Sequence, residues 1–127
     1  MSFEATVLRS WTGWIRRADR EPYREYLERT GLREYRDTPG NVGAVLLYRD
    51  VEDDRTEVRT LSLWRSREDI VAFAGQNIEA AVFYPEDDRY LIDRQTTVEH
   101  FDVPWSDLRT EQPRVRSRLP GRPSPSR

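Results

Sequence analysis

The chain has 127 residues, enough to bury one modest core but not two. It is 35% charged with a mean hydropathy of −0.88. It has no Cys and no apolar run of membrane-spanning length, which excludes disulfides, thiolate metal sites, thiol nucleophiles and a transmembrane helix. All 21 basic residues are Arg, and residues 1–103 hold 15 of them against 21 acids, an acidic balance that argues against a nucleic-acid-binding domain.

In chain order, residues 5–16 (ATVLRSWTGWIR) combine β-branched and aromatic residues and predict a strand. Arg20-Glu21-Pro22 opens a helix, with Tyr23, Tyr26, Leu27 and Thr30 on one face; Gly31 interrupts it, and Leu32 and Tyr35 predict a further helical turn. Thr38-Pro39-Gly40-Asn41 is a turn, and 41–49 (NVGAVLLYR) a largely apolar strand. Glu52-Asp53-Asp54 forms a polar hairpin loop before a strand over Thr56–Trp64. There Leu61 and Leu63 point one way, and Thr60, Ser62 and Trp64 the other. Ser66-Arg67-Glu68-Asp69 fits a capping box for a helix that turns Ile70, Phe73 and Ala74 inward. Gly75 breaks it, a short helix is expected over Ile78–Tyr84, and Thr96–Val103 (TTVEHFDV) is the last strand.

Residues 104–127 hold six Arg, five Pro and four Ser with three aliphatic residues, too little apolar area to offset the entropy of ordering. We expect this tail to be mostly disordered from Arg109 onward, with Pro104–Leu108 packing back through Trp105. The start, MSFEATVLRS, has no basic region followed by an apolar stretch, so no secretory leader and a cytoplasmic location are expected.

The order β-α-β-β-α-β predicts an α+β, ferredoxin-like antiparallel sheet over 1–103, with both helices on one face. The uncovered face is expected to carry Trp64 and a Trp of the first strand. An exposed apolar face needs a partner, so a homodimer joined through the sheets and enclosing a cavity is expected.

Several residue groups, taken in order, are similar to those of a known family. They are Trp11-Thr12-Gly13, Tyr26-Leu27 with Thr30-Gly31-Leu32, Pro39-Gly40-Asn41, Thr60–Ser66, Phe73-Ala74-Gly75, Tyr84–Asp87 and Val98–Phe101. Over residues 7–103 the chain resembles the antibiotic biosynthesis monooxygenase-like proteins of the dimeric α+β barrel superfamily. The resemblance implies cofactor-independent oxygenation of an aromatic polyketide-like substrate. A base forms a carbanion or enolate that reduces O2 in a dry pocket, and polar groups stabilise the charge. Trp64 matches the family's pocket Trp. Thr60 stands where relatives carry Asn, and a hydroxyl cannot supply both amide functions. Haem-degrading relatives hold iron through a His on the second helix, but residues 67–77 contain none, so haem degradation of that kind is not expected.

His100, the sole His, shares a strand face with Val98 and Asp102, opposite Phe101 and Val103. With Phe101 and Val103 in the core it would face the cavity as the base, the alternative being a backbone or subunit contact. Arg9 would stabilise charge, unless a carboxylate across the sheet takes it. Trp11 and Trp64 would stack on a planar substrate, while Trp14 suits a dimer core. Thr60, Ser62, Tyr48 and Tyr84 could donate hydrogen bonds to a ligand. Tyr23 and Tyr26 suit core packing, and Asn77 a helix cap. The clusters Glu52–Asp54 and Glu86–Asp88 are read as solvated acids, so no metal site is expected. A cyclase or isomerase using the same enolate, or a non-catalytic dimer binding a hydrophobic ligand, are the alternatives. A cavity too small for a tricyclic molecule would favour the last.

Overall fold

A computed structural model describes residues 2–109; the disorder expected over 110–127 lies outside the described residues. The elements are β1 (Ser2–Phe3), β2 (Val7–Arg16), α1 (Arg20–Arg29), α2 (Gly31–Asp37), β3 (Asn41–Val51), β4 (Arg55–Trp64), α3 (Arg67–Ala74), α4 (Asp87–Tyr90), β5 (Leu91–Arg94), β6 (Glu99–Asp102) and β7 (Leu108–Arg109). The main sheet runs β3-β4-β2, and β5 and β6 share the far edge of β2, all antiparallel. This is the predicted ferredoxin-like order, with β6 inside the strand expected over Thr96–Val103; α4 and β5, which extends the same edge of β2, are additional to the expectation.

Local chemistry sets the helix ends. Tyr23, Tyr26 and Leu27 are buried one turn apart along α1, and the Thr30 hydroxyl donates to the Tyr26 carbonyl at 2.9 Å where that helix stops. Ser66 caps α3 by accepting from the Asp69 N–H at 3.1 Å. Gly40 has φ +94°, and a Cβ there would overlap the Asp69 side chain, so the turn before β3 needs glycine on both counts. The core has two clusters: Ile15, Tyr23, Tyr26, Leu27, Val58 and Leu91 under α1, and Val7, Tyr35, Trp64 and Ile70 under α2 and α3.

Four expectations are corrected. Residues 78–84 are not helical: Ala80 bridges Thr97, with Ala81 N–H donating to Thr96 O and Val98 N–H to Glu79 O, each at 2.9 Å. The Arg9 guanidinium takes the carbonyls of Ile78 and Ala80 at 2.5 and 3.1 Å, withdrawing acceptors that a helix would use. The sheet faces are exchanged relative to the expectation. Val7, Arg9, Trp11, Thr60, Ser62, Trp64 and His100 lie under the helices, and Trp64 is fully buried. Phe101, 52% exposed, lies on the open face with Leu8, Trp14, Leu61 and Leu63. Alternation shows which residues share a face but not which face the helices cover. In the tail, Trp105 is 78% exposed, and the chain returns instead through Leu108–Arg109 pairing with Ser2–Phe3, so Arg109 is ordered. No helix among the described residues is long and apolar enough to cross a membrane.

Candidate active site

Between the sheet and the helices lies a cavity of about 40 Å³, room for a few waters. Arg9 and Trp11 of β2 and Thr60 of β4 form its floor. Tyr23, Leu27, Leu32 and Tyr35 come from α1 and α2, Phe73 from α3, Val82, Phe83 and Tyr84 from the segment after α3, and Asp87 from α4. An open groove of about 710 Å³ runs outside it along β3, and Leu32 and Tyr35 line both spaces.

Arg9 is 2% exposed. Beyond its two carbonyl acceptors, its Nη1 lies 3.2 Å from His100 Nε2, and its guanidinium carbon lies 5.6 Å from the Phe73 ring centroid. No carboxylate lies within ion-pair reach of it among the described residues, so the salt bridge weighed from the sequence is absent. Burial lowers its pKa from the ordinary value, yet a guanidinium stays charged. Arg9 is thus a buried cation bound only by neutral acceptors.

His100 stands behind Arg9 and outside the cavity lining. Because Arg9 can only donate, Nε2 accepts, and the ring proton sits on Nδ1. Nδ1 is sealed from solvent and faces Glu79 Oε2 at 3.5 Å, beyond normal hydrogen-bond length. Burial, then the Arg9 charge, lowers the His100 pKa, opposed by Glu79. The expected approach of a free imidazole to substrate is therefore blocked at Nε2 by Arg9.

The other sequence candidates divide. Trp11 lines the cavity, its indole N–H donating to Gln95 O at 2.8 Å. Its ring lies across Gly13, where a Cβ would come within 2.5 Å. Thr60 lines the cavity with its hydroxyl 3.3 Å from the Tyr35 hydroxyl. Trp64 and Ser62 do not line it: Trp64 donates to Ser62 Oγ at 2.8 Å and packs against Tyr35 and Phe73. Tyr84 contributes its ring, but its hydroxyl donates to Glu34. That contact and burial both raise its pKa, burial more. Tyr48 does not line the cavity: its hydroxyl donates to Arg20 O at 2.8 Å, and burial pushes its pKa up to about 12. Asn77 caps the loop rather than a helix, accepting from the Glu79 N–H at 3.2 Å.

The sequence reading missed Tyr35, Phe73, Phe83 and Asp87. Asp87 was expected to be solvated but is 4% exposed and lines the cavity. Its Oδ2 accepts from the Tyr84 N–H at 2.6 Å, and burial raises its pKa. The adjacent Asp88 has its side chain 83% exposed, as expected. No signal in the run Glu86-Asp87-Asp88 separates the buried acid from its neighbours.

No protein-family model matches the chain, and no curated protein matches it. Among solved structures it is similar to a Bacillus cereus protein assigned as an antibiotic biosynthesis monooxygenase. That match has a TM-score of 0.56 at 16% identity and covers 85% of this chain and 100% of that one. Two structures of a haem-degrading protein from Mycobacterium tuberculosis also match. The haem-free one has a TM-score of 0.47 at 18% identity, covering 81% of this chain and 97% of that one. The one with two haems bound has a TM-score of 0.45 at 20% identity, covering 79% and 97%. The first likeness establishes the fold alone, an α+β antiparallel sheet with helices that this chain shares with the Bacillus cereus protein.

Proposed function

We propose that the chain is a small enzyme of secondary metabolism that oxidises an aromatic, polyketide-like molecule through its enolate, with O2 and no bound cofactor. It works in the cytoplasm as a homodimer. One observation carries this reading: Arg9 is a buried cation with no carboxylate in ion-pair reach among the described residues, at the floor of a cavity walled by Trp11, Tyr35, Phe73 and Phe83. Burying an unpaired charge is costly, and that cost is recovered when an anion forms beside it. An enolate or phenolate between aromatic walls is such an anion. The substrate supplies the electrons: its enolate reduces O2, and one oxygen atom ends in the product quinone and the other in water. Arg9 stabilises the enolate oxygen, His100 holds Arg9 in place, and the apolar walls keep water away.

At about 40 Å³ the cavity is too small for a tricyclic ligand. Access through the β3 groove, with Leu32 and Tyr35 moving aside, joins the two spaces into one of adequate size. A cyclase or isomerase would share the enolate and differ in consuming no O2. The small cavity favours a second reading, a dimer without catalysis.

The test is Trp fluorescence of the purified protein against anthrones, anthraquinones and related polyketides, followed by O2 uptake. Quenching at micromolar ligand with O2 consumption is expected. Quenching without O2 uptake would move the assignment to an isomerase or binding protein, and no response across the panel would sink it.

A further inference from the structure

We infer that Asp87 is the base that removes the acidic proton of the substrate, working across the cavity from Arg9; this rests on the enolate chemistry proposed above. Both side chains line the same cavity, Arg9 from the sheet and Asp87 from the first residue of α4, and each is at least nine-tenths buried. Enolate formation needs one group to accept a proton and another to stabilise the charge left behind. Of the described groups lining this space, Asp87 alone is a carboxylate.

The two oxygens of Asp87 have different surroundings. Oδ2 is held by the Tyr84 N–H at 2.6 Å, which fixes the carboxylate while the Asp87 N–H donates back to Tyr84 O at 3.0 Å. Oδ1 has no hydrogen bond within the described residues. It is the oxygen free to take a proton. Closing the 84–87 turn needs only one acceptor, which a neutral amide or hydroxyl would supply without burying charge. Burial raises the Asp87 pKa, which strengthens it as a base, and the Tyr84 N–H and then Arg94 oppose the shift.

In the step, the substrate C–H bond breaks and an O–H bond forms at Asp87 Oδ1. The electron pair stays on the substrate, delocalised to the carbonyl oxygen that Arg9 faces. No oxidant takes part, so the step can be observed without O2. Its removal from the sequence of events would leave the cavity intact but the enolate unformed.

Anthrone, whose ring methylene is acidic, is the probe. Deuterium uptake at that methylene is followed by NMR in anaerobic D2O, with Trp quenching measured alongside. Wild type is expected to accelerate uptake over buffer. Asp87→Asn and Asp87→Ser, both able to accept the Tyr84 N–H, should lose about 100-fold or more of that acceleration while anthrone still quenches Trp fluorescence. Asp88→Asn, at the exposed neighbour, should behave as wild type. Uptake at the wild-type rate in either Asp87 variant that folds, or an equal loss in Asp88→Asn, would overturn the assignment of the base alone. Quenching without accelerated uptake by wild type would overturn both the base and the enolate chemistry, and absence of quenching would overturn the ligand class itself.

Discussion

Among the described residues Arg9 makes its polar contacts to two carbonyls and one imidazole nitrogen, and the Glu79 carboxylate acts on its charge only from beyond ion-pair reach. That arrangement depends on His100 remaining neutral, because a protonated ring has no lone pair for Nη1 and would place two cations together. Burial and Arg9 lower the His100 pKa below its ordinary 6.5, Arg67 adds to this, and Glu79 resists. Unfolding frees the ring from all of them, so below about pH 6.5 the unfolded chain binds a proton that the folded chain refuses. Stability is therefore full above that pH and falls as the pH drops toward the folded-state value. No other side chain has its ordinary pKa in that window, since the chain has a single His. Asp50 and Glu57, held low by hydrogen bonds to Thr56 and Arg49 respectively, begin to lose their contribution only below about pH 4.5. Asp87, raised by burial, acts in the opposite sense, and a variant comparison separates it. Denaturant midpoints at pH 7.5 and 5.5 should differ for wild type and converge for His100→Gln, whose amide oxygen can still accept from Arg9. Equal wild-type and variant slopes would remove His100 as the source.

At the scale of elements, α3 is short and its start is set by one side chain. Ser66→Ala leaves the Asp69 N–H without its partner and should cost about 1 kcal/mol, read as a lower denaturation midpoint with an unchanged slope. A variant as stable as wild type would mean that water replaces the cap. This cap, the helical face of α1 and the alternation of β4 were all legible in the sequence because each is a contact between near neighbours in the chain. The segment 78–84 was not. Its apolar residues satisfy a helical pattern, but its carbonyls are taken by Arg9, 69 and 71 positions earlier. The same limit explains the exchanged faces. Thr56, Thr60 and Ser62 made the helix-covered side of β4 look like the polar one, although Thr60 floors the cavity and Ser62 holds the buried Trp64. Arg9, Trp11, His100 and Trp64 were still grouped correctly on one side of the sheet, since strand pairing preserves alternation whichever side is covered. Local signals placed the elements, whereas the contacts of Arg9 with carbonyls 69 and 71 positions away shape the segment that walls the cavity.

Among the described residues one sheet face is without cover. Val45, Leu47 and Phe101 are 50%, 44% and 52% exposed there, with Leu8, Trp14, Leu61 and Leu63 partly shielded between them. The charges on this face are arranged for burial. Glu57 has one oxygen 2.8 Å from Arg49 and the other 2.9 Å from Arg59, so its carboxylate is already satisfied when a partner excludes water. A monomer with such an apolar face would associate, and a second copy presenting the same face satisfies both at once. The expected state is a homodimer through the sheets, with the two cavities on the outer, helix-covered sides and each complete within its own chain. Sedimentation equilibrium should give a dimer for wild type. Leu47→Glu combined with Phe101→Glu should give a folded monomer, because both side chains point away from the core and each new carboxylate would be desolvated at the interface. That monomer should retain the cavity and still quench with an aromatic ligand, which separates assembly from binding. A monomeric wild type, or a double variant that remains dimeric, would assign the open face to something other than self-association.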